Sequence, residues 1–172
     1  MVKLDEKAPE FEEDAYIAGE DNPKKVSLRD YRGKWVVFFF YPRDFTFVCP
    51  TELREFAKRS GEFEKVNAKI IAASTDSYYS HKAWMEKDLP QVKYPVIADV
   101  THRISKDYGV YDDKSGAAYR GTFIIDPDGM LRYYVVSSMN VGRSVSETLR
   151  VLEALQTGGL CPVEWEPGQK LL

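Results

Sequence analysis

Cys49 stands where residue types and order together point to nucleophilic chemistry. Residues 36–41 form an apolar run that reads as a buried strand, and residues 42–48 read as a short loop. Pro50 suits the first turn of a helix that begins at the cysteine. A thiol in that position lies at the positive end of the helix dipole, beside unpaired backbone N–H groups. Such a setting favours the thiolate, which is the reactive form of cysteine. The other cysteine, Cys161, lies near the end of the sequence, and no Cys-x-x-Cys is present. Two distant cysteines fit neither a disulfide scaffold nor a zinc site. An isolated cysteine more often fills a core than does chemistry, so the case rests on its neighbours.

The elements that must position Cys49 follow from hydrophobic spacing. The 172 residues are enough for one domain with a real core. Hydrophobic residues at 44% and charged residues at 30% are ordinary for a globular chain. After the 36–41 strand, residues 50–66 read as a helix, with Leu53, Phe56, Ala57, Phe63 and Val66 at near-helical spacing. Residues 69–74 and 94–98 read as strands, and 79–87 and 104–108 as helices. Residues 120–125 and 131–137 flank Asp126-Pro127-Asp128-Gly129, a hairpin turn. Ser144 with Glu147 fits a capping box that opens a helix to about residue 156, and Gly158-Gly159 ends it. This order predicts an α/β fold with a mixed central sheet flanked by helices, compatible with a thioredoxin-like architecture.

The formal net charge of −3 argues against nucleic-acid binding, and the longest apolar run is too short to cross a bilayer. The first residues lack the apolar stretch of a signal peptide, so a cytoplasmic location is expected. There, a disulfide between the two cysteines would be transient and catalytic rather than structural. His81 and His102 form no ligand cluster, and His81 reads as a structural residue rather than a base. Phe38, Phe39 and Phe40 read as core.

The residues then match a known family. Pro42-x-x-x-Thr46-x-x-Cys49 resembles the active-site signature of the peroxiredoxins, which are thiol-dependent peroxidases. The longer string from Asp44 to Glu52, Asp-Phe-Thr-Phe-Val-Cys-Pro-Thr-Glu, resembles the typical two-cysteine subgroup, which includes the alkyl hydroperoxide reductase peroxidase component. Further matches are Ala8-Pro9-x-Phe11, Ser74-x-Asp76-Ser77, His81-x-Ala83-Trp84, Arg120-Gly121-x-Phe123 and Val141-Gly142-Arg143-Ser144. Cys161-Pro162-x-x-Trp165 sits where that subgroup places a resolving cysteine. The resemblance implies one thioredoxin-like domain over residues 1–172, with residues 160–172 as a tail carrying Cys161. Two features of some members are missing: a Gly-Gly-Leu-Gly insertion, and a Tyr-Phe pair in a C-terminal helix. Their absence suggests resistance to overoxidation. Ser138-Met139-Asn140 stands where Asp-Leu-Pro is usual, a loop difference expected to have little consequence.

The implied reaction is attack of the Cys49 thiolate on a peroxide oxygen. Ionisation of a thiol with an ordinary pKa of ~8.5 gains only roughly 30-fold at neutral pH, about 2 kcal/mol. An efficient enzyme needs on the order of 8 kcal/mol or more. The remainder must come from holding the peroxide in line and stabilising the leaving oxygen. The resemblance assigns those tasks to Arg120, to the Thr46 hydroxyl, to the backbone N–H groups of Val48 and Cys49, and to Pro42, which shields the sulfur from water. Glu52 and Arg143 are expected to orient Arg120. Cys161 of a partner subunit would resolve the sulfenic acid, which implies a homodimer and, in this subgroup, often a ring of dimers. A thioredoxin-like or flavoprotein reductase would restore the thiols, with no metal or organic cofactor. Two other readings stay open: a general thiol–disulfide oxidoreductase, and a holdase chaperone.

Overall fold

A computed structural model describes residues 2–172. Its centre is β3 (Trp35–Phe40), the apolar run before the Cys49 loop. Both of its faces are covered, which explains why the run is apolar throughout rather than alternating. Val37 and Phe39 point into one core cluster, with Leu53, Phe56, Trp84 and Leu152. Val36, Phe38 and Phe40 point into the other, with Phe11, Ile104, Tyr108 and Leu131.

β3 pairs in parallel with β4 (Ala68–Ser74), and β4 pairs in parallel with β5 (Val96–Ala98). On its other side β3 pairs antiparallel with β8 (Arg120–Ile125), which forms a hairpin with β9 (Leu131–Ser137). The far edge is made by β1 (Glu12–Tyr16) and β2 (Lys24–Ser27). The seven strands run in the order β2-β1-β5-β4-β3-β8-β9. A separate small ribbon joins β6 (Tyr111–Asp112) to β7 (Ala117–Ala118).

Among the described residues, five α-helices accompany the sheet: α1 (Cys49–Lys58), α2 (Ser60–Lys65), α3 (Tyr78–Asp88), α4 (Arg103–Asp107) and α5 (Val145–Thr157). The architecture is the expected mixed sheet flanked by helices. The expected helix over 50–66 is two helices, because Arg59 leaves helical geometry at φ −100°, ψ 7°. The capping box at α5 is half formed. Ser144 Oγ accepts from the Glu147 amide at 3.1 Å, but the Glu147 carboxylate turns to Arg150 instead of returning to the Ser144 amide. Gly129 closes the β8–β9 turn at φ +80°, a conformation glycine adopts without cost.

Candidate active site

Cys49 is the first residue of α1, and the thiol is buried, with 1% of the residue exposed. Leu53 and Phe56, one and two turns on, anchor α1 in the core. No side chain caps its N-terminus, and Pro50 brings no N–H, so the Cys49 backbone N–H is the amide at the helix start left to face an incoming group.

The main partner of the sulfur comes from β8. Arg120 Nη1 lies 3.4 Å from Cys49 Sγ and 2.8 Å from Glu52 Oε2. Gly121 follows because the chain there is crowded: a Cβ would lie 2.7 Å from a Val110 methyl and 2.8 Å from the Phe123 ring. Glu52 is one turn beyond Cys49, on the same face of α1. Its other oxygen accepts from Arg143 Nε at 3.0 Å and from the Arg143 backbone N–H at 3.0 Å. Arg143 is held further by Thr122 Oγ1 and the Gly121 carbonyl, both at 3.0 Å, and by the Phe40 carbonyl. Its guanidinium lies 4.8 Å above the Phe39 ring, which stacks on Phe56. Burial pulls the Arg143 pKa below its ordinary value, and the adjacent Glu52 carboxylate opposes that shift.

The side chains of Glu52, Arg120 and Arg143 are only 2%, 4% and 4% exposed. Two guanidiniums and one carboxylate leave one buried positive charge. Buried charge is tolerated when it is matched. The Cys49 sulfur faces that charge, 3.4 Å from Arg120 Nη1.

The loop of residues 41–48 supplies the rest. Pro42 is buried at its start. Thr46 Oγ1 donates to the Arg43 carbonyl at 2.9 Å, so its lone pairs remain available to accept a proton donor. Val48 directs its carbonyl into the helix, accepting from the Thr51 amide and hydroxyl. Cys161 is a free, half-buried thiol beyond α5, within 3.6 Å of the Ala154 carbonyl and 3.5 Å of Thr157 Oγ1. The fold thus joins Cys49, Glu52, Arg120 and Arg143 at one helix end, with Pro42, Thr46 and Val48 in the loop that leads into it. Cys161 stands apart from them within the chain.

Two contributors escaped the sequence reading. The first is the Met139 carbonyl, which accepts from Arg120 Nε at 2.8 Å and which any residue type at that position would supply. A main-chain group leaves no trace in residue type. The second is Asp44, whose carboxylate collects hydrogen bonds from Tyr41, Ser80 and His81. His81 is structural, as read, with both ring nitrogens partnered. Among the described residues, no group of three or more His, Cys, Asp or Glu could hold a metal ion, and no helix is long and apolar enough to cross a membrane.

The AhpC/TSA family model matches residues 4–134. The chain belongs to the AhpC/TSA family. It is 51% identical over 172 residues to "Putative peroxiredoxin YkuU" of Bacillus subtilis, covering 96% of this chain and 95% of that protein. Among solved structures, reduced Plasmodium vivax 2-Cys peroxiredoxin superposes with a TM-score of 0.93 at 33% identity, covering 99% of this chain and 93% of the other. Enterococcus faecalis AhpC gives 0.89 at 40% identity, covering 94% and 100%. This peroxiredoxin therefore has the thioredoxin-like fold of its relatives, and it is a peroxidase.

Proposed function

We propose that this peroxiredoxin reduces hydroperoxides through a Cys49 sulfenic acid that is resolved by Cys161 of a second copy. The observation that carries this reading is the 3.4 Å contact between Arg120 Nη1 and Cys49 Sγ within a buried cluster short of one negative charge. The thiolate attacks one peroxide oxygen, the S–O bond forms, and the O–O bond breaks. The leaving oxygen departs as water or an alcohol after taking a proton. Arg120 donates to the peroxide oxygens, and the Cys49 backbone N–H at the start of α1 stabilises charge as it moves. Thr46, already donating to Arg43, accepts from the peroxide O–H and so fixes its direction.

The Cys161 thiol then attacks the sulfenic sulfur. A disulfide forms, and the sulfenic oxygen leaves as water. Cys49 is buried and Cys161 lies beyond α5, so the first turn of α1 must open for the two to meet. A homodimer is supported by β9, an edge strand with Tyr134, Val135 and Val136 exposed, since such an edge invites pairing. Rings of dimers, and a cytoplasmic thioredoxin-like or flavoprotein disulfide reductase as the electron donor, complete the reading.

A non-reducing gel after one equivalent of peroxide tests it. A band at twice the monomer mass that vanishes in Cys49→Ser and in Cys161→Ser is the expected result. A monomeric product in the unmodified protein would refute resolution between subunits.

A further inference from the structure

The loop that precedes Cys49 is fastened at one residue. Asp44 Oδ1 accepts from Tyr41 Oη at 2.6 Å, and Oδ2 accepts from Ser80 Oγ at 2.8 Å. His81 Nδ1 stands 2.7 Å from Oδ2, on a ring with no exposed surface. The other ring nitrogen, Nε2, faces the Ile97 carbonyl of β5 at 3.1 Å. The Asp44 backbone N–H donates to Asp76 Oδ2 at 2.7 Å, and that oxygen also accepts from Ser74 Oγ. One loop residue is thereby tied to α3, to the end of β4 and, through His81, to β5. Burial, then the neighbouring Asp44 carboxylate, keeps the Tyr41 phenol protonated and able to donate.

The next residue is strained. Phe45 has φ +54°, a left-handed conformation that bulky side chains avoid. Its ring packs 5.9 Å from Trp84 yet remains half exposed, so packing alone gives it weak support. Thr46, Phe47 and Val48 follow directly, and then Cys49.

We propose that the Asp44–Tyr41–Ser80–His81 cluster is a latch. It holds Phe45 in its strained form, keeps Thr46 and the α1 N-terminus in register for peroxide, and sets how readily Cys49 leaves its pocket. Asp44, Tyr41, Ser80 and His81 are positioning residues, because none touches the sulfur. The proposal rests on the reading of Cys49 and Cys161 given above. Loosening the latch slows the peroxide step and speeds the disulfide step, since the same folded loop is needed for the first and must open for the second.

The test uses stopped-flow fluorescence of the full reduced protein with hydrogen peroxide, with Trp84 beside the loop as reporter. Tyr41→Phe removes one hydroxyl without changing core volume, and Ser80→Ala removes a weaker bond at the half-buried edge. Tyr41→Phe is expected to lower the bimolecular oxidation rate about tenfold, and Ser80→Ala about threefold, with the later unimolecular disulfide phase accelerating in both. Adding Phe45→Asn to Tyr41→Phe restores the oxidation rate severalfold, because asparagine tolerates the left-handed conformation. Both rates falling together, neither rate moving, or no recovery with Phe45→Asn would overturn the latch. A wild-type protein lacking the peroxide-dependent first phase would instead overturn the reading of Cys49, and the latch with it.

Discussion

One nitrogen of Arg120 serves two partners: Nη1 is 2.8 Å from Glu52 Oε2 and 3.4 Å from Cys49 Sγ. Glu52 thus aims the guanidinium while offsetting only one of the two positive charges beside it. The Cys49 sulfur lies beside the charge that remains.

Removing the carboxylate leaves two buried guanidiniums facing each other without a mediator. Glu52→Gln should lower kcat/KM for hydrogen peroxide by about ten- to a hundredfold, the usual effect of losing a group that orients a reacting one. Steady-state kinetics with saturating reductant check this. A variant with unchanged kcat/KM would mean that Arg120 is held by the Met139 carbonyl alone.

Lysine at position 120 keeps a charge but lacks the fork that contacts Met139, Glu52 and Cys49 together. Arg120→Lys should cost about a hundredfold in kcat/KM and slow alkylation of Cys49 at neutral pH. Iodoacetamide trapping followed by mass spectrometry measures the second effect independently of peroxide.

The Thr46 hydroxyl is predicted to act by accepting a proton donor, so side-chain shape alone should not replace it. Thr46→Val should lower kcat/KM about a hundredfold, and Thr46→Ser only about threefold. Equal losses in the two variants would assign Thr46 to packing rather than to hydrogen bonding.

Much of this site is legible in residue order, and the reasons are local. Pro50 and the spacing of Leu53 and Phe56 mark α1, and that places Cys49 at a helix end. The Asp126–Gly129 turn bounds β8 and β9 at the residues expected. β1 and β2 escape because exposed Glu12, Lys24 and Lys25 and half-buried Glu13 and Asp14 fill most of both strands and hide the alternation. The break at Arg59 escapes because the apolar spacing continues from Phe56 to Phe63 across it. Contacts such as His81 with Asp44 join side chains 37 positions apart, and only the folded sheet brings them together.

Acid stability should depend on the β8–β9 turn. Burial alone would raise the Asp126 pKa, but the Met130 and Asp128 amides and the Arg132 guanidinium outweigh it and hold the carboxyl below its usual range. A lowered folded-state pKa contributes stability that is complete above the unfolded value near 3.8 and fades as pH falls through the lower one. Asp126→Asn should therefore lower the melting temperature at pH 7, with the difference from the parent shrinking below about pH 4. Calorimetry across that range reads it.

The central claim is that the Cys49 sulfur takes the peroxide oxygen. Intact-mass spectrometry of reduced Cys161→Ser protein, with one equivalent of hydrogen peroxide and a sulfenic-acid trap, tests it directly. The account predicts one trapped adduct per chain, located on Cys49, with peroxide consumption stopping after a single turnover. Undiminished multiple turnover by Cys49→Ser, or an adduct absent from Cys49, would contradict it.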